Sequence, residues 1–580
     1  MFIFDFLRIK KKIPEPWKKY YSKDERKIKI PNISMYEQIR RSTKLYPKYT
    51  AYEYLGKKVT YEKFLDEIDD CAIAFHNLGI KKGDVVTICL PNIPEALICL
   101  YALNKCGAIA SMLHPLSSSE EIKKSLNSTN SKCLILLDSF YKKIENIITT
   151  TNVAKVIFPK VQEHMNIFLK LAFDLKNLGK IRKHPKNKLY INYRTFINKY
   201  NYGNNIFLPF GCNQAAVIIN SGGTSGKPKN VVIQNRAFIL ASIQEKISLK
   251  RLVPGDCCLG IMPNFHGFGL SVLMHTPLAL GCYTILIPKF DAKKFDVLFK
   301  KTKPTCVLGV PTLYEALMNS HNVKNLDLSF LKYIISGGDS LPLSLEKRIN
   351  EYLLAHNCKT HITQGYGLSE SLAAVTLAAD SVNKPGSIGI PLCGNHIKII
   401  DPATRKSLKY GEVGEIVIHS KAFMSGYLND EAETNTALQV HKDGHIWLHT
   451  GDLGYMDKDG FLFYQGRMKR MIITSGYNVY PSHIEEIIEA HPAVLQCTVV
   501  GVPHPYKQEV PKAFIVLKEG FHGLLIKSEI KEYAEKYLAK YMLPKEYVYR
   551  KKLPRTKLGK IDFNELKKDT GSDDDEESRA

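Results

Sequence analysis

Short runs of β-branched and apolar residues recur along this chain, and stretches with helical spacing separate them. Asp84–Leu90, Ala215–Asn220, Cys306–Val310 and Tyr333–Ser336 are such runs. A short apolar run bounded by turn residues reads as a buried strand, and helices between such strands predict stacked α/β layers. Pro94 to Cys106 has helical spacing, with proline at a favoured first helical position and Gly107 closing the element. The 580 residues exceed what one core holds, since cores rarely grow past ~300 residues, so more than one domain is expected. After about Gly466 the segments shorten and charge becomes denser. Leu495–Val502 and Ala513–Leu517 read there as strands, and Pro481–Ala490 and Lys527–Leu538 as helices, which suggests a small α+β domain.

Composition narrows the class but not the chemistry. No apolar run reaches the ~20 residues of a membrane-spanning helix, and glycine and proline follow no collagen-like period. The formal charge of +24 attracts polyanions: nucleic acid, an anionic membrane surface or a polyphosphate ligand. No zinc finger, leucine zipper or RNP-type aromatic sequence supports nucleic acid. Thirteen cysteines without a C-x-x-C spacing read as reduced packing residues of a cytoplasmic protein. The start, Met1 to Leu7 followed by lysines 10 to 12, places its charge after the apolar stretch, the reverse of a signal peptide. It reads as a docked or frayed terminus, or at most as peripheral membrane contact. Asp573–Glu577 belongs to a solvated acidic tail.

The first chemical motif is Asn220-Ser-Gly-Gly-Thr-Ser-Gly-Lys-Pro-Lys229, directly after a strand. Glycines let backbone N–H groups turn inward, and hydroxyls and lysines add donors, so the loop suits an anion. It is not a Walker A loop, which requires glycine at Ser221 and Ser or Thr at Pro228. Further motifs follow in order: Pro263-Asn-Phe-His-Gly-Phe-Gly269, Ser336-Gly-Gly-Asp-Ser-Leu-Pro342 and Gln364-Gly-Tyr-Gly-Leu-Ser-Glu370. Thr450-Gly-Asp-Leu-Gly-Tyr455, Gly466-Arg-Met-Lys469, Ile472 to Pro481 and Pro554-Arg-Thr-Lys-Leu-Gly-Lys560 complete the series. Taken alone, each has a plainer reading. His266 fits a packed core histidine, Ser369-Glu370 a helix cap, Asp452 with Arg467 a salt-bridged turn, and Lys560 a basic surface patch.

Together, in this order, the motifs resemble those of the adenylate-forming superfamily, which includes acyl-CoA synthetases. The resemblance spans roughly Ser34 to Leu566. It implies a large, multi-layered α/β N-terminal domain over 34–466 and a small mobile α+β domain over 467–569. A basic extension (1–33) and a disordered tail (570–580) flank them. By resemblance Ser221, Gly223, Thr224, Ser225, Gly226 and Lys229 cradle the ATP phosphates. Gly338, Asp339, Gly365, Tyr366, Gly367 and Ser369 take the adenine and α-phosphate, and Asp452 and Arg467 the ribose. Glu370 holds Mg²⁺, a cation that prefers one or two carboxylates plus phosphate oxygens. His266, Gly267 and Phe268 line an acyl pocket, Lys469 is the hinge, Ser475 and Gly476 border the coenzyme A path, and Lys560 is the catalytic lysine.

Several positions depart from the family pattern: Gly222, Asn230, Asp339, Ser340, Arg470 and His483. His266 stands where amino-acid-activating relatives carry an aspartate for the substrate ammonium, so an acid without an α-amino group is expected. The implied activity is ATP-dependent formation of acyl-AMP from a carboxylic acid, a fatty acid foremost, and transfer to coenzyme A. A free-standing ligase loading an acyl-carrier protein is the alternative.

Overall fold

The structure is a computed structural model. It describes residues 15–164, 185–206, 208, 210–221, 229–291, 294–320, 326–372, 374–474, 477–556 and 561–569, with only the backbone of 162, 163 and 221. Two mostly parallel sheets form the large N-terminal domain. The first has nine strands, and six of them run parallel in the spatial order Ile362–Gly367, Tyr333–Gly337, Cys306–Gly309, Cys257–Gly260, Tyr283–Leu286 and Thr50–Tyr54. Antiparallel strands close both edges. The second has eight strands, with Ala215–Ser221, Ile109–Met112, Val85–Cys89, Cys133–Leu136, Lys155–Phe158 and Tyr190–Asn192 parallel.

Helices lie between the two sheets, and one apolar cluster runs through them from Tyr52 and Leu308 of the first sheet to Ile88 and Val217 of the second. Pro94–Lys105 is buried at all twelve positions. A helix that is buried all round has no polar face to offer solvent, which is why it sits between two sheets rather than outside one. Helix ends follow local chemistry. Ser118 and Glu121 form a reciprocal capping box at Ser119–Ser128, and the Ser34 hydroxyl accepts the Glu37 N–H at the start of Met35–Leu45.

A third sheet, antiparallel, contains His396–Ile400, Gly414–His419, Leu438–Val440, Ile446–Met456 and Leu462–Arg467. The N-terminal segment packs onto it, with Trp17 and Tyr21 buried in its core and the Tyr21 hydroxyl donating to the Pro391 carbonyl at 2.9 Å. The stretch read as a docked or frayed terminus, Met1 to Lys12, lies outside the described residues. All thirteen cysteines are free, and twelve are buried.

A short 3₁₀ turn, Met468–Arg470, leads into the smaller C-terminal domain. Its sheet joins Ile472–Thr474, Tyr477–Val479, Val494–His504, Gln508–Leu517 and Glu546–Tyr549, with Pro481–Glu489 and Leu524–Tyr537 packed against it. Two expected boundaries move. The strand read from Ala513 begins at Gln508, because the pairing continues through Pro511 opposite Gly501. The helix read from Lys527 begins at Leu524, right after Gly523 at φ +93°.

Candidate active site

The glycine-rich loop joins two antiparallel neighbours, Ala215–Ser221 and Lys229–Gln234, with Ser221 opposite Lys229. Gly223, Thr224, Ser225, Gly226 and the Ser221 side chain lie outside the described residues, as do Ser475, Gly476 and Lys560. Lys229, the first residue of the returning strand, has its Nζ 2.6 Å from Glu433 Oε2 and 4.7 Å above the Tyr427 ring. Asn230 donates its side-chain amide to Ser128 Oγ at 3.0 Å and accepts the Leu428 N–H on its backbone carbonyl.

The strand Ile362–Gly367 delivers the Gly365-Tyr-Gly367 motif to one end of the first sheet, and a 3₁₀ turn, Ser369–Ser371, follows. Gly365 pairs with Gly337 on the neighbouring strand, so the turn carrying Gly338 and Asp339 lies beside Tyr366. Asp339 is exposed and caps its own turn, its Oδ1 accepting the Ser340 N–H at 3.0 Å. Glu370 accepts the Tyr427 hydroxyl on Oε1 at 2.8 Å, and its carbonyl accepts the Met424 N–H at 2.8 Å. Among the described residues its Oε2 has no hydrogen-bond partner.

Asp452 and Arg467 are cross-strand partners in the third sheet. The strand Ile446–Met456 bulges here, since Glu415 opposes Leu453 while Val417 opposes His449. Gly451, at φ +67°, supplies a left-handed step that side chains disfavour, and the bulge turns Asp452 inward. Glu415 fixes it: Oε1 accepts the Gly451 N–H at 3.1 Å, and Oε2 lies 2.9 Å from His449 Nδ1. Thr450 adds a hydroxyl bond to the Ile416 carbonyl and accepts the Asp452 N–H.

The Asp452 side chain is 1% exposed. Tyr366 donates its hydroxyl to Oδ2 at 2.6 Å, which fixes the ring plane of Tyr366 beside Tyr464. Arg467 Nε lies 2.8 Å from Oδ1, yet its N–H is not aligned on that oxygen, and among the described residues Oδ1 has no hydrogen-bond donor. Burial pushes the Asp452 carboxyl up, against the opposing pull of Arg467 and Tyr366. A buried carboxylate oxygen beside an arginine and lacking a donor suits a ligand hydroxyl.

The aromatic motif approaches the same place. Gly267 is obligatory: a Cβ there would lie 1.7 Å from the carbonyl oxygen of Leu372, two residues past Glu370. Phe268 packs against the Gly337-Gly338 turn, where a Cβ on either glycine would meet its ring at 3.5 and 3.8 Å. His266 sits on Phe265, ring centroids 5.2 Å apart, and opens a π-helical stretch, Phe268–His275. Leu90-Pro-Asn92, at the end of the run Asp84–Leu90, has a definite task. Asn92 donates to the Gly260 and Met262 carbonyls and accepts the Asn264 N–H at 3.0 Å, clamping the aromatic motif.

Lys469 lies in the 3₁₀ turn after Arg467. Arg470 points into the C-terminal domain, with Nη2 2.7 Å from Glu485 Oε1 and its guanidinium 3.7 Å over Phe563. Tyr427, Glu433, Tyr464 and Glu415 were not singled out by the sequence. Only the Gly-Glu and Gly-Tyr pairs at 414–415 and 426–427 hint at them, and nothing local says that they reach this site.

This geometry gathers the buried acid–arginine pair Asp452 and Arg467 beside Tyr366, and sets Lys229 and Glu370 on either side of Tyr427. A family model described as AMP-binding enzyme matches residues 39–428, and one for the AMP-binding enzyme C-terminal domain matches residues 483–560. The chain belongs to the AMP-binding enzyme family. It is 32% identical over 556 residues to a long-chain-fatty-acid–CoA ligase of Bacillus subtilis, covering 94% of this chain and 96% of that protein. A probable 4-coumarate–CoA ligase 1 of Dictyostelium discoideum is 30% identical, covering 82% of this chain and 84% of its own. A crystal structure of an anthranilate CoA ligase with anthranoyl-AMP shares the fold at a TM-score of 0.80 and 22% identity, covering 94% of this chain and 98% of that one. Among the described residues no helix is long and apolar enough to cross a membrane.

Proposed function

We propose that this chain is an acid–thiol ligase. It activates a long-chain fatty acid with ATP to acyl-AMP and passes the acyl group to coenzyme A, releasing AMP and pyrophosphate. The observation that carries the nucleotide half is the buried Asp452 oxygen that has no donor among the described residues, held beside Tyr366 and Arg467. The long-chain acid is supported by the likeness to the Bacillus subtilis ligase. His266 in place of an ammonium-pairing carboxylate, with apolar Phe268, Leu270 and Leu273 nearby, also favours an acid without an α-amino group.

The substrate carboxylate attacks the α-phosphorus of ATP, and the bond from the α-phosphorus to the bridging oxygen of pyrophosphate breaks. Negative charge accumulates between two anions that repel each other, so positioning and charge neutralisation carry the rate. Asp452 and Arg467 fix the ribose, and Tyr366 and the 337–338 turn bracket the base. Lys229 and the amides of the glycine-rich loop take charge on the departing pyrophosphate. Lys560 brings the carboxylate and α-phosphate together.

The half-open Glu370 carboxylate, with one oxygen held by Tyr427 and the other without a partner among the described residues, fits a hard cation shared with phosphate oxygens. Glu370 would hold Mg²⁺, which when bound supplies positive charge to the phosphates. A turn of the C-terminal domain about Lys469 then withdraws Lys560 and presents the Ser475-Gly476 loop to the thiol.

The test is a panel of carboxylic acids incubated with ATP, Mg²⁺ and either coenzyme A or acyl-carrier protein. Long-chain acids with coenzyme A are expected to release AMP and pyrophosphate in equal amounts. Turnover only with carrier protein would select the alternative acceptor, and no turnover with any acid would end the proposal.

A further inference from the structure

Tyr427 touches both charged ends of the phosphate site, and its backbone is tied to the elements that carry them. Gly426–Tyr427 is a two-residue strand paired antiparallel to Lys229–Gln234, with Tyr427 opposite Val231. Just before it, the Met424 N–H reaches the Glu370 carbonyl and the Ser425 N–H the Val232 carbonyl, both at 2.8 Å. Just after it, the Leu428 N–H reaches the Asn230 carbonyl at 2.8 Å. Thr434 anchors the pair from below, its Oγ1 accepting the Tyr427 N–H at 2.9 Å. A Cβ on Gly426 would meet that same side chain at 2.9 Å, so the preceding residue must be small.

From this backbone the hydroxyl donates to Glu370 Oε1 at 2.8 Å, while the ring face lies 4.7 Å from Lys229 Nζ. The residue is 8% exposed. Toward the carboxylate, which only accepts, the hydroxyl is the donor. A phenol is suited to both contacts at once: the O–H fixes an anion, and the π face attracts a cation.

Resting on the roles proposed above for Glu370 and Lys229, we infer that Tyr427 is a positioning residue. It ties the carboxylate that would hold the cation and the lysine that would meet the phosphates to one side chain, and leaves Glu370 Oε2 for the cation.

Tyr427→Phe keeps the ring and removes the hydroxyl; Tyr427→Leu removes both contacts. Calorimetric binding of ATP at varied Mg²⁺ reads the effect without turnover. The phenylalanine variant is expected to need roughly tenfold more Mg²⁺ for half-maximal ATP binding, as for loss of a hydrogen bond to a charged group. Its affinity for ATP without Mg²⁺ should stay near that of the unaltered protein. The leucine variant should also lose roughly two- to fivefold of that Mg²⁺-independent affinity, the share of the ring under Lys229. In a Glu370→Gln background, Tyr427→Phe should change nothing further in the Mg²⁺ requirement.

An unchanged Mg²⁺ midpoint in Tyr427→Phe overturns the inference, and so does a lower melting temperature with an unchanged midpoint, which marks a packing residue only. Absence of acid-dependent pyrophosphate release by the unaltered protein would instead strike the proposed function. The two failures are therefore distinguishable.

Discussion

At the scale of single residues, Asp452 shows how a binding group is recognised by what it lacks. Its Oδ2 is occupied by Tyr366, and its Oδ1 lies buried without an aligned donor among the described residues. Leaving a buried acceptor unmet costs about 1–3 kcal/mol, a cost that ligand hydroxyls would relieve. Asp452→Asn removes the charge and one acceptor. ATP affinity should fall by roughly tenfold or more, with the melting temperature little changed, because the carboxyl is already disfavoured by burial. Calorimetry with ATP and a thermal melt decide it; full affinity in the variant would remove Asp452 from the site. The sequence pointed to Asp452 and Arg467 because both sit in short, recognisable motifs. Tyr427 was hinted at by no more than the glycine before it, since a lone tyrosine becomes a hub only through the pairing of strands some two hundred positions apart.

At the scale of elements, burial decides protonation. The helix Asn235–Ser248 lies within the large domain, and Glu245 on it is 3% exposed. Burial pushes its carboxyl from the ordinary 4.5 up to about 8, so the folded chain keeps a proton that the unfolded chain gives up. Stability from this group is therefore full below about pH 4.5 and is lost as pH rises toward about 8. Glu245→Gln should lose less stability across that window than the unaltered protein, as read by melting temperature against pH. Parallel curves would show that the carboxyl titrates normally.

Element boundaries were legible where an apolar run coincides with a strand. Val85–Cys89, Cys306–Gly309 and Tyr333–Gly337 end within a residue or so of their sequence limits. They were less legible at Gln508–Leu517, because proline argues locally against a strand interior while Pro511 is held there by its partner. The Thr450–Asp452 bulge could not be read either, since a bulge is a mismatch between two strands and not a property of one.

At the scale of the whole molecule, the proposed chemistry depends on bringing the far end of the chain over the large domain. Arg555 and Ile561 face each other in an antiparallel bridge, so the residues flanking 557–560 are drawn together. Burial raises the carboxyl of Glu315 on the large-domain helix Pro311–Met318, and the charge of Arg555 partly counters that push. The Ser482 hydroxyl donates to the Gln465 carbonyl at 2.5 Å, a second link across the connecting turn. Lys560→Ala should abolish ATP–pyrophosphate exchange by roughly a hundredfold or more, as for loss of a charge-stabilising donor. Thioester formation from supplied acyl-AMP should survive, and equal loss of both steps would refute the divided role.

By itself the sequence determined the layered α/β class, the order of the chemical motifs and most of the candidate residues. Those rest on local facts: side-chain periodicity, turn residues and short runs with fixed spacing. Tertiary structure alone decided that Asn92 clamps the aromatic motif, that Glu415 fixes the bulge behind Asp452, and that Tyr427 joins Glu370 to Lys229. Each of these is a contact between distant segments. Its energy exists only once the sheets have paired, so no window of sequence around any one of the residues contains it.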